Sequence, residues 1–223
     1  MSHSKVEEAI ILSAGEGLRL WPITEELPKC LVKVKDKPIL EYQIERLKRF
    51  GIKKFIVTVR KDHQYISKVE VARLSNKLDV DIGISVEGTI LGTAGGTKKA
   101  MKYIDGNTFM VINGDDIADV DVAEFLMLEP PAIVVSRPRS QFGVVRVEKG
   151  KVISFGEKAK LDILVNMGWY HLDKEIKDML PDIGSLEYEV FPKLTGRLRA
   201  YIHEGMWVTV NSIKDIQSAE EVL

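Results

Sequence analysis

The stretch at residues 10–29 constrains the fold of this chain more than any other. It reads IILSAGEGLRLWPITEELPK. The segment at residues 9–13 is short, apolar and rich in β-branched residues, which predicts a fully buried strand. Gly15 and Gly17 follow at once, and glycines adopt positive φ angles and let backbone N–H groups approach an anion. The pattern therefore predicts a strand that ends in a phosphate-binding loop.

Two cations follow this loop, and their spacing lets both reach one polyphosphate. Arg19 comes two residues after Gly17, and Lys29 comes ten residues later. A dinucleotide fingerprint would need a third small residue where Leu20 stands, and a P-loop would need Gly-Lys-Ser/Thr, which is absent. On spacing alone, an ordinary strand-to-helix turn remains the alternative to a phosphate site.

The composition predicts a single soluble α/β domain. The chain has 223 residues, of which 45% are hydrophobic and 29% charged. The net charge of −1 gives no reason to expect nucleic acid as a partner. No apolar run has the length of a membrane span and the N-terminus does not resemble a signal peptide, so we expect a cytoplasmic protein with no membrane contact.

Cysteine and histidine give no sign of a metal centre. Cys30 is the only cysteine, which excludes a disulfide within the chain, and we expect it to be a small buried hydrophobe rather than a reactive thiol. The four histidines, His3, His63, His171 and His203, lack ligand spacing and are expected at the surface or partly buried. Zinc chemistry is not expected.

The first half of the chain alternates between strand and helix patterns. Strands are predicted at 54–59, 79–86 and 109–112, and helices at 38–50, 63–77 and from Gly92 or Thr93. This order is typical of a mostly parallel, Rossmann-like sheet flanked by helices, in which ligands bind at the carboxyl ends of the strands. The last strand ends in Asn113-Gly114-Asp115-Asp116. A carboxylate at Asp115 would suit Mg²⁺ beside a triphosphate, although a helix cap is the alternative.

The second half predicts a small antiparallel insertion. Strands at 144–147 and 152–155 are joined by a turn at 148–151. Further strands are predicted at 163–170, 200–203 and 207–210, with helices near Lys174, Leu186 and Ile213. We therefore expect one domain with a nucleotide-binding half at about 1–128 and a sugar-binding half at about 129–223. No hexapeptide repeat is present, so a C-terminal β-helix is not expected.

The stretch LSAGEGLRLWPITEELPKCLVKVKDKPILEY resembles the signature of the sugar-1-phosphate nucleotidyltransferases. In that family a Gly-x-Gly-Thr-Arg-Leu loop precedes a proline, a threonine, a Pro-Lys pair and a Lys-Pro helix start. The matching residues are Gly15, Gly17, Arg19, Leu20, Pro22, Thr24, Pro28, Lys29, Lys37 and Pro38. Leu18 departs from the pattern, because the family has threonine there. The resemblance implies a nucleotide-diphospho-sugar transferase fold and the synthesis of a nucleotide-sugar and pyrophosphate, with Mg²⁺ as cofactor.

The resemblance also implies roles for residues of the first half. Arg19 would stabilise the leaving pyrophosphate, Lys29 the triphosphate, and Asp115 the metal ion. The residues expected to bind the nucleotide are Leu12, Ala14, Gly15, Gly17, Glu87 and Gly92. A carboxylate at Glu87 could accept hydrogen bonds from guanine N1 and N2, which favours GTP over UTP or dTTP, but it could instead bond to backbone amides.

Sugar-phosphate contacts are implied for the second half. Gly143 stands in FGVV, Glu157 and Lys158 in SFGEKA, and Asn166 in VNMGWY, each matching a family motif. Glu157 would hold sugar hydroxyls and Lys158 the sugar phosphate. Without the resemblance, that pair would be read as solvated surface charges. The LGTAGG form is similar to that of short mannose- or heptose-1-phosphate guanylyltransferases.

The chain departs from the family at a metal ligand. The segment MWVTVNS aligns with Trp-x-Asp-x-Gly-Thr, and Thr209 stands where the family has its second metal aspartate. We expect weakened metal affinity or a shifted metal preference, with Asn211 or Asp116 as substitute oxygen donors.

Two alternatives to the sugar nucleotidyltransferase remain open. One is a weak or inactive relative that binds nucleotide or nucleotide-sugar, and the other is a cytidylyltransferase for a non-sugar alcohol phosphate such as choline phosphate. The expected partners are a nucleoside triphosphate and a sugar 1-phosphate, with a homodimer as one option for assembly.

Overall fold

The structure is a computed structural model that describes residues 6–140 and 142–223. Its strands are β1 (Glu8–Leu12), β2 (Lys33–Val34), β3 (Lys37–Pro38), β4 (Lys54–Arg60), β5 (Asp81–Glu87), β6 (Thr108–Asn113), β7 (Asp116–Ala118), β8 (Ala132–Ser136), β9 (Val144–Glu148), β10 (Lys151–Gly156), β11 (Val165–Asp173), β12 (Arg199–His203) and β13 (Trp207–Thr209). Its α-helices are α1 (Ile23–Glu26), α2 (Ile39–Lys48), α3 (Gln64–Leu78), α4 (Gly92–Ala100), α5 (Val122–Phe125) and α6 (Ile213–Val222).

Seven strands form the central sheet in the order β12-β8-β11-β6-β1-β4-β5. All neighbours pair in parallel except β11, which runs antiparallel to both β6 and β8. The predicted mostly parallel α/β sheet is therefore confirmed. Strands β9 and β10 form a separate antiparallel hairpin, as expected, whereas β8, β11 and β12 extend the main sheet.

Strand β1 lies at the centre of this sheet and packs on both faces. Ala9, Ile10 and Ile11 are completely buried. Ile11 belongs to the apolar cluster that contains Leu40 and other residues of α2, while Ile10 faces the opposite cluster with residues of α4. An apolar run on both faces is what a strand covered by helices on each side requires. Side-chain burial of this kind contributes about 1.5–3 kcal/mol per large aliphatic residue.

The register of β1 against β6 places the two predicted motifs side by side. Leu12 is the partner of Asn113, and the backbone N–H of Gly114 donates to the carbonyl of Leu12 over 2.8 Å. A Cβ on Gly114 would lie 2.8 Å from that carbonyl oxygen, so only glycine allows this approach. The loop that follows β1 and the carboxylate of Asp115 therefore leave the sheet at the same edge.

Strand β7 is a feature that the sequence did not predict. It pairs antiparallel with β13, so that Thr209 lies opposite Asp116. Asp116 therefore begins a strand, and it does not cap a helix. The pairing joins residues 89 to 93 positions apart through only three residue pairs, and so short a strand shows no alternation in the sequence.

The burial of Cys30 agrees with the prediction, but that of three histidines does not. Cys30 is 1% exposed, and burial raises the pKa of its thiol to about 12, which confirms an inert core cysteine. The expectation for the histidines is wrong for His63, His171 and His203, which are all at most 5% exposed. Each ring has a backbone carbonyl within hydrogen-bond distance, which lets a histidine be buried without a metal.

Two further predictions concern the N-terminus and membrane-spanning helices. His3 and the extreme N-terminus are outside the described residues. Among residues 6–140 and 142–223, no helix has the length and apolar character to cross a membrane.

Candidate functional site

A cavity of about 510 Å³ opens at the carboxyl end of β1. Its wall contains every residue that the sequence suggested for catalysis or nucleotide binding, namely Leu12, Ala14, Gly15, Gly17, Arg19, Lys29, Glu87, Gly92 and Asp115. These residues come from four separate segments of the chain. Since ligands of parallel α/β sheets bind at this edge, the cavity is the candidate active site.

The glycine loop has the backbone geometry that its sequence implied. Gly17 has a φ of 65°, and a Cβ there would lie 2.8 Å from Cγ2 of Thr24. The Thr24 hydroxyl donates to the Gly17 carbonyl over 2.8 Å, which holds the loop closed. Leu18, which replaces the family's threonine, is 72% exposed and lines the cavity. The loop is therefore ordered by Thr24 without the missing hydroxyl.

Two cations and a carboxylate meet beside this loop. Lys29 Nζ lies 2.6 Å from Asp115 Oδ2 and 2.6 Å from Asn211 Oδ1. Arg19 Nη2 donates to the same Asn211 oxygen over 2.7 Å. One carboxylate faces two cations, so this cluster keeps a net positive charge. Such a cluster, next to a glycine loop, is suited to bind a phosphate group.

Asn211 has a role that the sequence reading did not identify. It was considered as an oxygen donor for a metal, but its side chain accepts hydrogen bonds from Arg19 and Lys29. Its backbone N–H donates to Asp215, whose own N–H donates to the Ser212 hydroxyl at the start of α6. The Ser-x-x-Asp spacing of this helix cap is the one local signal that points to an ordered segment.

Thr209 and Asp116 are hydrogen-bonded to each other beside the cation cluster. The Thr209 hydroxyl and the Trp207 indole N–H donate to Asp116 Oδ1 over 2.5 and 2.9 Å. Neither Thr209 nor Asp116 lines the first cavity, and the role of Asp116 as a substitute oxygen donor stays a prediction. Burial, and then the charge of Asp115, raises the pKa of Asp116 well above its ordinary value.

Glu87 lines the same cavity, at the end of β5 and in contact with the segment that precedes α4. Its Oε2 accepts the backbone N–H of Leu91 over 3.1 Å, so part of the carboxylate binds the backbone, one of the two expected alternatives. The other carboxylate oxygen, Oε1 of Glu87, lies so close to Gly96 that a Cβ there would be only 2.8 Å from it. Burial raises the pKa of Glu87, although the Leu91 N–H and the charge of Lys99 lower it in part.

A hydrogen-bond network around Glu187 is a further feature that the sequence reading missed. Its carboxylate accepts the hydroxyls of Thr93, Tyr170 and Ser185 over 2.7–2.8 Å. Burial raises the pKa of Glu187, but these donors outweigh it and the net shift is downward. The Asn166 amide donates to the Tyr170 hydroxyl over 2.8 Å. Because Thr93 lines the cavity, the network connects Asn166, a predicted sugar residue, to the wall of that cavity.

The other predicted sugar residues lie outside the first cavity. Gly143 is next to Glu157, since a Cβ on Gly143 would lie 3.2 Å from Glu157 Oε2. Lys158 is exposed and has a φ of 51°. None of Gly143, Glu157, Lys158 or Asn166 lines the first cavity with Arg19 and Lys29.

The comparisons with known proteins agree with this fold. The model of the family described as "Nucleotidyl transferase" matches residues 8–221, and the chain belongs to that family. It is 31% identical over 229 residues to the probable mannose-1-phosphate guanylyltransferase 2 of Arabidopsis thaliana, covering 93% of this chain. The chain spans only 62% of the length of that relative.

Shorter relatives match over more of their own length. The D-glycero-alpha-D-manno-heptose 1-phosphate guanylyltransferase of Campylobacter jejuni is 35% identical over 174 residues, which cover 76% of this chain and 77% of the relative. The crystal structure of HddC from Yersinia pseudotuberculosis superposes with a TM-score of 0.78 at 28% identity, covering 97% of this chain and 99% of that one. The resemblance to sugar-1-phosphate nucleotidyltransferases is thus confirmed.

The tight start of α4 predicts a measurable loss of stability in Gly92→Ala. Gly92 has a φ of 72°, and a Cβ there would lie 2.2 Å from the carbonyl oxygen of Gly184. We expect the free energy of unfolding, measured by urea denaturation, to fall by about 1–3 kcal/mol. Gly88→Ala is the matched control, because a Cβ at Gly88 meets nothing within 4 Å. Equal effects of the two substitutions would contradict the prediction.

Proposed function

We propose that this chain is a sugar-1-phosphate nucleotidyltransferase, which makes a nucleotide-sugar and pyrophosphate from a nucleoside triphosphate and a sugar 1-phosphate. The observation that carries the proposal is the cluster of Arg19, Lys29 and Asp115 beside the glycine loop in one cavity. Backbone N–H groups of the loop and the two cations would bind the triphosphate at the carboxyl end of β1.

The proposed reaction needs positioning and charge neutralisation rather than a general base. An ionised oxygen of the sugar phosphate attacks the α-phosphorus of the triphosphate. The bond from the α-phosphorus to the bridging oxygen breaks, and pyrophosphate leaves with its electron pair. Because the attacking oxygen is already ionised, no proton must be removed. Arg19 would stabilise the charge on the leaving pyrophosphate, and Lys29 would hold the triphosphate in line.

Nucleotidyltransferases of this family generally use a divalent metal ion, and we propose Mg²⁺. The donor set fits this ion in part, since Asp115 places one carboxylate in the cavity and Asn211 a neutral oxygen. Mg²⁺ is commonly bound by one or two carboxylates together with substrate phosphates and waters. The ion would neutralise phosphate charge, and Asp115 would hold it.

The base and the sugar are proposed on two further observations. Glu87 lines the cavity, where its carboxylate could accept the N1 and N2 hydrogens of guanine, which supports GTP. The Campylobacter and Arabidopsis relatives are named as guanylyltransferases of a heptose and of mannose, which supports such an acceptor. Relatives named as cytidylyl and uridylyl transferases also match the chain, so the choice of base must be measured.

A substrate panel tests the proposed function. Pyrophosphate release is measured for GTP, CTP, UTP, dTTP and ATP, each with mannose, glucose and heptose 1-phosphates and with choline phosphate. We expect release with GTP and a mannose- or heptose-type 1-phosphate. Release only with CTP and choline phosphate would establish the non-sugar alternative. No release with any pair, together with nucleotide binding by calorimetry, would establish the inactive relative, which the absent carboxylate at Thr209 favours.

The position of Arg19 predicts that Arg19→Ala lowers the catalytic rate and leaves the binding of the sugar phosphate nearly unchanged. Its guanidinium is held by Asn211 next to the loop, where charge would develop on the leaving group. We expect kcat to fall by about a hundredfold or more, with little change in KM for the sugar phosphate. Arg146→Ala is the control, because Arg146 is 73% exposed and lines no part of the cavity. A kcat near that of the wild type would remove Arg19 from the mechanism.

The substitution Thr209→Asp is predicted to strengthen the binding of divalent metal ions. In Thr209→Asp, a second carboxylate would stand next to Asp116 and near Asp115, at the position where the family has its aspartate. We expect tighter binding of Mn²⁺, by about tenfold in electron paramagnetic resonance titrations, and a lower Mg²⁺ requirement for turnover. Thr209→Asn, which adds no charge, should leave both unchanged. If Thr209→Asp binds Mn²⁺ as the wild type does, the second-ligand argument fails.

A further inference from the structure

A second cavity, of about 320 Å³, lies next to the candidate active site. Thr209 lines the second cavity and Asn211 lines the first, and the two residues are only two positions apart in the chain. Two residues of extended chain span at most about 7 Å. The backbones of these two lining residues are therefore within about 7 Å of each other, which makes the two cavities neighbours.

The wall of this second cavity carries an excess of positive charge. Arg137, Arg139 and Lys160 line it, whereas Glu204 is its only lining carboxylate. Arg137 Nη1 lies 2.6 Å from Glu204 Oε1, and Lys160 pairs with the other oxygen. Arg137 also approaches Asp162 at 3.4 Å, but that side chain is fully exposed, and exposed pairs of this length contribute little.

Arg139 is the cation of this group without a carboxylate partner. Its guanidinium donates to the backbone carbonyl of Lys158 over 3.3 Å, and no described carboxylate lies within 4.0 Å of it. The backbone around it is firmly placed, because Arg139 and Lys160 form a β-bridge and Ser140 N–H donates to the carbonyl of Ala159 over 2.9 Å. The charge of Arg139 is thus available to a ligand.

The lining of the second cavity also includes an aromatic residue. Trp207 lines the cavity, and its indole N–H donates to Asp116 Oδ1 over 2.9 Å. Aromatic faces, and carboxylates that accept hydrogen bonds from sugar hydroxyls, are the usual partners of a carbohydrate ring. Glu204 supplies such a carboxylate, since Lys160 first and Arg137 next lower its pKa. The cavity therefore combines a surface for a ring with a separate site for an anion.

We propose that the second cavity binds the acceptor substrate and that this acceptor carries a second anionic group, distant from the phosphate that attacks the nucleotide. The inference rests on the proposed function and specifies its substrate class. Arg139, with Arg137 and Lys160, binds that group, which is a phosphate or a carboxylate. The 1-phosphate of an uncharged sugar carries charge only at its attacking end, so it would leave these cations without an anionic partner.

The test compares three acceptors that share one ring: mannose 1-phosphate, mannose 1,6-bisphosphate and mannuronic acid 1-phosphate. With the preferred triphosphate, we expect kcat/KM for at least one doubly anionic acceptor to exceed that for mannose 1-phosphate by about tenfold or more. The bisphosphate and the uronic acid distinguish a phosphate from a carboxylate. A kcat/KM that is equal or higher for mannose 1-phosphate overturns the inference.

Arg139→Gln tests the residue assignment. We expect this variant to raise KM for the doubly anionic acceptor by about tenfold while kcat/KM for mannose 1-phosphate stays within about twofold. Arg146→Gln, an exposed arginine on the β9–β10 hairpin outside both cavities, should change neither. Equal losses of Arg139→Gln on all three acceptors overturn the assignment, and thermal unfolding checks that the variant is folded.

Calorimetry separates failure of this inference from failure of the proposed function. Binding of mannose 1-phosphate and mannose 1,6-bisphosphate is measured in the presence of a non-hydrolysable GTP analogue. If no triphosphate gives pyrophosphate with any acceptor, the proposed function fails. In that case an anion site in the second cavity is still established if the bisphosphate binds about tenfold more tightly and Arg139→Gln removes the difference. It is overturned if the two ligands bind alike.

Discussion

The contact of Lys29 with Asp115 and Asn211 is the interaction on which the site depends. It joins the loop after β1, the end of β6 and the segment before α6, which are far apart in the chain. The Lys29 and Asp115 side chains are only 16% and 22% exposed. Removal of one member of such a partly buried pair would leave the other charge without compensation. The loop and the sheet edge are therefore electrostatically coupled.

The two cations are held by a neutral oxygen as well as by a carboxylate, and this matters for an anion site. Asn211 accepts a hydrogen bond from Arg19 and one from Lys29 without cancelling either charge. A second aspartate at this point would neutralise the cluster, whereas an amide orients the cations and leaves them available to phosphate. Asn211 therefore orients both cations by hydrogen bonds to a neutral oxygen.

Much of the fold and of the nucleotide wall was predictable, because it follows from local rules. Gly17 needs a positive φ, the run through Ile10 and Ile11 is apolar on both faces, and Asp115 follows a buried strand. Parallel strands then bring their carboxyl ends together whatever the details of the helices. These constraints act within a few residues. Spacing alone left an ordinary turn possible, and it was the resemblance to the nucleotidyltransferase signature that grouped the residues which line the cavity.

What the sequence determined by itself was the strand, the glycine loop and the identity of the charged residues around them. Only the tertiary structure decided that Asp116 pairs with Thr209 through β7 and β13, that Asn211 binds both cations, and that Glu187 connects Thr93 to Tyr170. Apart from the 17 residues between Tyr170 and Glu187, each of these contacts spans more than ninety residues along the chain. The reason is physical: a hydrogen bond between distant segments depends on how the whole sheet closes, and local residue patterns carry no information about that distance.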